Sequence, residues 1–428
     1  WNADGSLANM PHDLNLSTPW ASWNLLEEKT FVTLEHRFNR NWRLRAGWTT
    51  ADREQDGSLY FGYGGYPRPD GSGITVAYGR FPADETMDVL EWNIDGKFNL
   101  FGRQHDLVFG WGKAERETVS PRITLGAVPA GYSAIPDWRS WSGDVPEFPT
   151  TVGAVPTSIG QVDQKAAFLA TRLNLSDALK AVVGVRHGKY TTHTRNFSAA
   201  GPVTSTTGFT NDDIVTPYVG LLFDLNQQWT AYTAYTSIFQ PQNFRDVGNA
   251  LLDPVEGNNI EAGVKAELFD RRMNFSAAIF RSNKDNVAEI DDSVPPNSLP
   301  GAVQAYRSTG KGNVIDGVEV EASGQIVRQW NLTAGYSHTR SRNAQGVAIN
   351  TVIPRNLLRV FTSYRFGADS QYALGGGVNW QSNLWNTAQK PTGSYNASGA
   401  PVTGLSRIEQ GSVWLANLMA SYRISKKL

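Results

Sequence analysis

The chain has no cysteine in its 428 residues, which excludes a disulfide framework and a thiolate metal site. It also lacks an excess of either charge. Lys and Arg number 39 against 40 Asp and Glu, so the net charge is −1 and nucleic acid is not an expected partner. Long apolar runs are missing too. None approaches the roughly 18 residues of a spanning helix, and a helical membrane protein is excluded. No secretory leader stands at Trp1, so the sequence reads as mature or as the interior of a longer protein. The six histidines, His12, His36, His105, His187, His193 and His338, are scattered without ligand spacing, and no metal site is expected.

What is present is aromatic and patterned. There are 14 Trp, 15 Tyr, 19 Phe and 41 Gly. From Asn258 to Leu268, Ile260, Ala262, Val264, Ala266 and Leu268 alternate with Glu261, Gly263, Lys265 and Glu267. Side chains of a strand alternate between two faces, so this segment separates lipid from water. The same alternation puts Leu90, Trp92, Ile94, Phe98 and Leu100 opposite Glu91, Asn93, Asp95, Lys97 and Asn99. About fifteen such strands follow one another, each long enough to cross a bilayer when tilted.

The connections are of two kinds. Short ones fall at Asn39 to Asn41, Phe101 to Gln104, Ser176 to Ala178, Asn226 to Gln228, Asp270 to Arg272, Val327 to Gln329 and Gly367 to Ser370. Long ones are expected at Ala51 to Thr86, Ser120 to Gly160, Asn196 to Asn211, Gln240 to Glu256, Asp285 to Pro300, Ser341 to Ile353 and Asn383 to Gln410. Short turns at one rim and long loops at the other describe a transmembrane antiparallel β-barrel, an all-β fold, with the turns periplasmic and the loops extracellular. Trp229, Trp330 and Tyr372 directly follow short turns and are expected in an interfacial aromatic girdle. An odd number of strands cannot close such a barrel, so the chain reads as part of a larger one.

Two stretches resemble TonB-dependent ferric-siderophore receptors. AYTAYTSIFQPQNFRDVGNALLDPVEGNNIEAGVK, Ala231 to Lys265, is similar to the family's strand, Pro-Gln loop, Leu-Asp-Pro turn and Glu-x-Gly-x-Lys strand. TGKGNVIDGVEVEASG, Thr309 to Gly324, looks like its later Gly-Val-Glu strand. The resemblance implies that residues 1–428 form about 15 of 22 barrel strands, without the plug domain, the first strands or the last. It also implies a monomeric receptor in the outer membrane of a Gram-negative bacterium, in contact with its lipid. Such a receptor takes up an iron-siderophore complex of hydroxamate or pyoverdine type, driven by the TonB-ExbB-ExbD complex acting through the missing N-terminal part. The ferric siderophore is cargo, no cofactor is implied, and no catalysis is expected. The alternatives are a passive outer-membrane porin, or a TonB-dependent receptor for haem, cobalamin or a carbohydrate.

Loop aromatics are the candidate ligand contacts: Trp20, Trp23, Tyr60, Phe61, Tyr63, Tyr66, Trp138, Trp141 and Trp385. An indole offers an apolar face and one hydrogen bond to a chelate. The same rings could instead pack the loops together. Arg43, Arg45, Glu91, Lys97, Arg186, Glu261, Lys265, Glu319, Glu321 and Arg359 are expected to line the lumen as mutually paired charges.

Overall fold

A computed structural model describes residues 1–128, 131–310 and 312–424. The first hairpin is β1 (Ser22–Arg37) and β2 (Trp42–Gly65). A short β3 (Ile74–Arg80) folds back on the upper end of β2, and β4 (Ala83–Leu100) pairs with the remainder. Next come β5 (Arg103–Leu125), the two-residue β6 (Ala134–Ile135), β7 (Thr150–Asn174), β8 (Leu179–Phe197), β9 (Val203–Asp224), β10 (Trp229–Gln240), β11 (Val255–Leu268) and β12 (Met273–Asp285). A loop hairpin, β13 (Ala288–Ile290) with β14 (Tyr306–Ser308), precedes β15 (Asn313–Val327), β16 (Trp330–Arg342), β17 (Asn356–Phe366) and β18 (Tyr372–Gln381). The last loop carries its own hairpin, β19 (Leu384–Tyr395) with β20 (Pro401–Gln410), before β21 (Val413–Tyr422) pairs with β18. Setting the short or loop-borne β3, β6, β13, β14, β19 and β20 aside, fifteen strands make one continuous antiparallel wall among the described residues.

Register sorts the side chains, because directly paired residues of an antiparallel ladder share a face. Trp229, Ala266, Phe275, Ala322, Ala334, Val360, Val378 and Ala416 form one apolar row across eight strands. One residue along, Thr230, Lys265, Ser276, Glu321, Gly335, Arg359 and Asn379 form a polar row on the other face. The apolar face continues through Leu90 and Trp92, with Trp92 opposite Trp111, and Trp380 lies opposite Trp414 at 5.6 Å between rings. Exposed residues such as Ile279, Leu374 and Leu418 on that face belong against lipid.

The apolar belt is bounded on both sides. At the short-turn rim Phe366, Tyr372 and Tyr422 stack in register, at 5.5 and 5.0 Å between centroids. Trp330 joins them and donates its indole hydrogen to Thr362 at 2.7 Å. After four or five outward apolar residues the sequence turns polar, giving a belt roughly 20 to 25 Å tall on tilted strands. All seven short turns sit where the sequence places them. Phe101 and Gly102 make the tightest, both at positive φ (52° and 74°), the geometry of a two-residue hairpin matched to strand twist.

The long connections differ from expectation. Strands continue well beyond the belt, so Asn196 to Asn211 shrinks to a turn at residues 198–202, and Ala51 to Thr86 is mostly strand. Polar strand extensions such as VTSTT, Val203 to Thr207, carry no apolar face, and the alternation that reveals a belt strand is silent there. On the polar face, glycines face aromatics in register: Phe168 with Gly110, Tyr218 with Gly184, Tyr232 with Gly263, Phe280 with Gly317. Each ring lies over the bare glycine, close enough that an added Cβ would meet it within 3 Å. The rings therefore lie flat along the inner wall.

Candidate functional site

Two regions near the long-loop rim stand out, a niche on the inner face and an aromatic core in the loops. The first is a niche of about 560 Å³, within the range of small-molecule sites. Its floor is the polar face of β5, β7, β8 and β9. Arg116, Val162, Thr192 and Phe209 form one register row, and Thr118, Gly160, Thr194 and Thr207 the next. Tyr190 lies beside Phe209, with ring centroids 5.9 Å apart. The segment 241–251, between β10 and β11, forms its roof and contributes Gln242, Asn243 and Arg245.

That roof is anchored. Gln242 is buried and donates to the carbonyls of Asp253 and, at 2.9 Å, Asn286. Phe244 packs on Tyr306 at 4.4 Å, and the Tyr306 amide donates to the Arg245 carbonyl at 2.8 Å. The niche lining includes Arg116 and Arg245 but no carboxylate. Arg116 is only loosely held, 3.8 Å from Glu85. Two guanidiniums, a row of hydroxyls and a ring pair suit a ligand that combines a planar group with oxygen acceptors.

The second region is an aromatic core in the loops. Tyr60, Tyr132 and Phe148 are buried, with Trp20, Tyr78 and Trp141 packed around them. Tyr60 meets Tyr132 edge-on at 5.1 Å and stacks on Trp141 at 5.9 Å. Polar tips are satisfied by backbone. Trp20 donates to the Val145 carbonyl at 2.7 Å, Tyr132 to Pro146 at 2.8 Å and Trp141 to Ser17 at 3.3 Å. Burial, with Tyr60, Glu147 and Tyr78 nearby, pushes the Tyr132 phenol up to about 12.

Comparison with known proteins settles the class. Residues 3–428 match the family model described as TonB dependent receptor-like, beta-barrel. The ferric-pyoverdine BN7/BN8 receptor of Pseudomonas putida is 32% identical over 99% of this chain and 49% of its own length. The ferripyoverdine receptor of Pseudomonas aeruginosa is 30% identical over 100% of this chain and 50% of its own. Its crystal structure with ferripyoverdine bound superposes with a TM-score of 0.85 at 28% identity, covering 99% of this chain and 54% of that one. The alcaligin receptor of Bordetella pertussis gives 0.65 at 28%, covering 95% and 62%. This chain is a TonB-dependent receptor barrel. It spans about half the length of the curated relatives it matches, and its wall is an outer-membrane wall with the long loops outside.

Within this receptor barrel the candidate aromatics divide. Trp20, Tyr60 and Trp141 belong to the loop core, and Tyr60, 1% exposed, presents no surface to a ligand. For Tyr60, burial fits the packing alternative. Phe61 and Tyr63, on the opposite face of the same strand, are exposed and meet edge-on at 6.3 Å. Trp23 is exposed and stacks on Phe81. Tyr66 donates to the Gln389 carbonyl at 3.2 Å, across 323 residues of sequence, joining the β2–β3 turn to the β19–β20 hairpin. Trp385 of that hairpin lies under the Arg407 guanidinium at 4.3 Å. Trp138 begins a single 3-10 turn, whose entry residue Asp137 is clamped by Arg139 at 3.0 Å, and that clamp lowers its pKa.

The sequence had not pointed to Tyr190, Phe209, Arg116 or Arg245. A Gly at 208 beside threonine-rich segments was its one available sign. Among the described residues, no three His, Asp or Glu converge as a metal site would need.

Proposed function

We propose that this chain is the wall of an outer-membrane receptor that captures a ferric siderophore, with pyoverdine-type chelates favoured, and passes it inward by TonB-coupled transport. The proposal extends to a whole receptor whose plug and remaining strands lie outside these 428 residues, and to a TonB-ExbB-ExbD partner reached through them. Named relatives at about 30% identity bind ferric pyoverdines, which supports the cargo class. The observation that carries the reading is the niche. It brings Arg116 and the Tyr190–Phe209 pair of the inner wall together with Arg245 of the roof, and its lining among the described residues holds no carboxylate to repel an oxygen-rich anionic chelate.

The iron arrives wrapped in its chelator, so the wall needs no metal ligands of its own. No bond is made or broken by the protein, and an enzyme role is not part of the reading. In the intact receptor, Arg116→Ala with Arg245→Ala, and Tyr190→Ala with Phe209→Ala, are the tests. Each pair should weaken binding of ferric pyoverdine, measured by fluorescence quenching, by about ten-fold or more. Unchanged affinity in both would remove the niche from the recognition path.

A further inference from the structure

The upper border of the apolar belt is uneven in charge. On β12, β15 and β16 the outward face runs through Ile279, Val318 and Tyr336, and just above them one register row reads Arg281, Asp316, Arg340. Arg342 stands one outward position higher, opposite Val314. Asp316 Oδ1 accepts from Arg281 at 3.2 Å and from Arg342 at 2.6 Å. Arg342 Nε is buried without a partner, and exposed Arg340 has no hydrogen bond or ion pair among the described residues. Two guanidiniums thus share one carboxylate, and the third, that of Arg340, has none. The nearest other outward acids, Glu256 and Asp285, face each other two outward positions above Arg281, and His338 is occupied with Asn356 at 2.8 Å.

The same level on β2, β4 and β5 is mostly acidic, with Asp52, Glu54, Asp84, Asp88, Glu115 and Glu117. Lys113, Lys165 and Lys189 form a second outward basic row across β5, β7 and β8, but Lys113 is paired with Glu115 and Lys189 with Asp212, both at 2.6 Å. The arginine sector differs in keeping a guanidinium unpaired among the described residues, that of Arg340, and it adjoins apolar wall directly. A ligand that fits both surfaces is an amphiphile with an anionic head. Guanidinium forks match phosphate oxygens, and a site flanked by hydrocarbon strengthens each contact.

We propose that Arg281, Arg340 and Arg342 bind the phosphate of a membrane lipid in the leaflet on the long-loop side, its acyl chains lying down Ile279, Val318 and Tyr336. The proposal rests only on the barrel's place in the membrane, so it stands or falls apart from the cargo. Basic residues at a membrane surface act roughly additively on anionic lipid.

The test uses the intact receptor in neutral detergent, with bisphosphorylated lipid A and its dephosphorylated form as probes, read by native mass spectrometry. Parent receptor should retain the phosphorylated lipid only. Arg340→Gln, which breaks no internal contact, should lower retention about five-fold, and the triple Gln variant about a hundred-fold. Equal retention of both lipids, or parent-like retention by Arg340→Gln, overturns the proposal. Complete displacement by millimolar inorganic phosphate also overturns it, by showing an anion site that owes nothing to the acyl chains.

Discussion

Replacing Tyr60 by Ala tests whether the loop aromatics are a preorganised core. The ring is 1% exposed and touches Trp20, Tyr132 and Trp141 at centroid distances of 6.2, 5.1 and 5.9 Å. Truncating a buried aromatic costs about 3 to 5 kcal/mol, of which aromatic pairing beyond burial accounts for about 0.5 to 1.5 for each ring lost. The loss falls on the loops alone, because no belt residue belongs to this cluster. Amide exchange in residues 1–21 and 131–149 of the intact receptor should therefore accelerate about a hundred-fold or more, while β11 and β12 remain protected. Tyr63→Ala, at a side chain 77% exposed, supplies the comparison and should change nothing. Exchange as slow as in the parent would refute the idea that this core sets the shape of the mouth.

Three further outcomes follow from the wall and the loops. Val264→Arg, on the lipid face, should impair insertion by about 2 to 4 kcal/mol, whereas Lys265→Ala on the inner face should not, as judged by yield and heat resistance of the folded barrel. Gly263→Ala should destabilise by about 1 to 3 kcal/mol, since the new Cβ would lie 2.8 Å from the Tyr232 ring; Gly335→Ala, which meets nothing within 4 Å, is the control. Tyr132 should ionise only near pH 12 in absorbance titration at 295 nm against Tyr132→Phe. Its raised pKa means that the loop stability it contributes is complete below the ordinary phenol pKa of about 10 and is lost as pH climbs from there toward 12.

The belt was legible because lipid imposes period-two alternation on every strand that crosses it. Ile260 to Leu268 shows this in one reading, and the register places those residues on one face with Phe275, Ile279 and Val320. Above the belt no solvent of one kind bathes one face, so β8 and β9 extend through Thr191 to Thr194 and Thr204 to Thr207 with no pattern to announce them. The niche was hidden for a related reason. Arg116, Tyr190, Phe209 and Arg245 come from four separate segments, and only the register of intervening strands brings them together. The loop aromatics were legible as a set but not as to role, since Tyr60 and Phe61 are adjacent in sequence and opposite in burial.

The central claim is that this wall serves energised uptake rather than passive diffusion. The direct measurement is accumulation of radiolabelled ferric pyoverdine by cells whose one pyoverdine receptor is the full-length protein containing this chain, with and without a functional TonB. The account predicts saturable uptake that disappears when TonB or the proton gradient is removed. Uptake that rises linearly with chelate concentration and survives the loss of TonB would contradict it, and would make this wall part of an open channel.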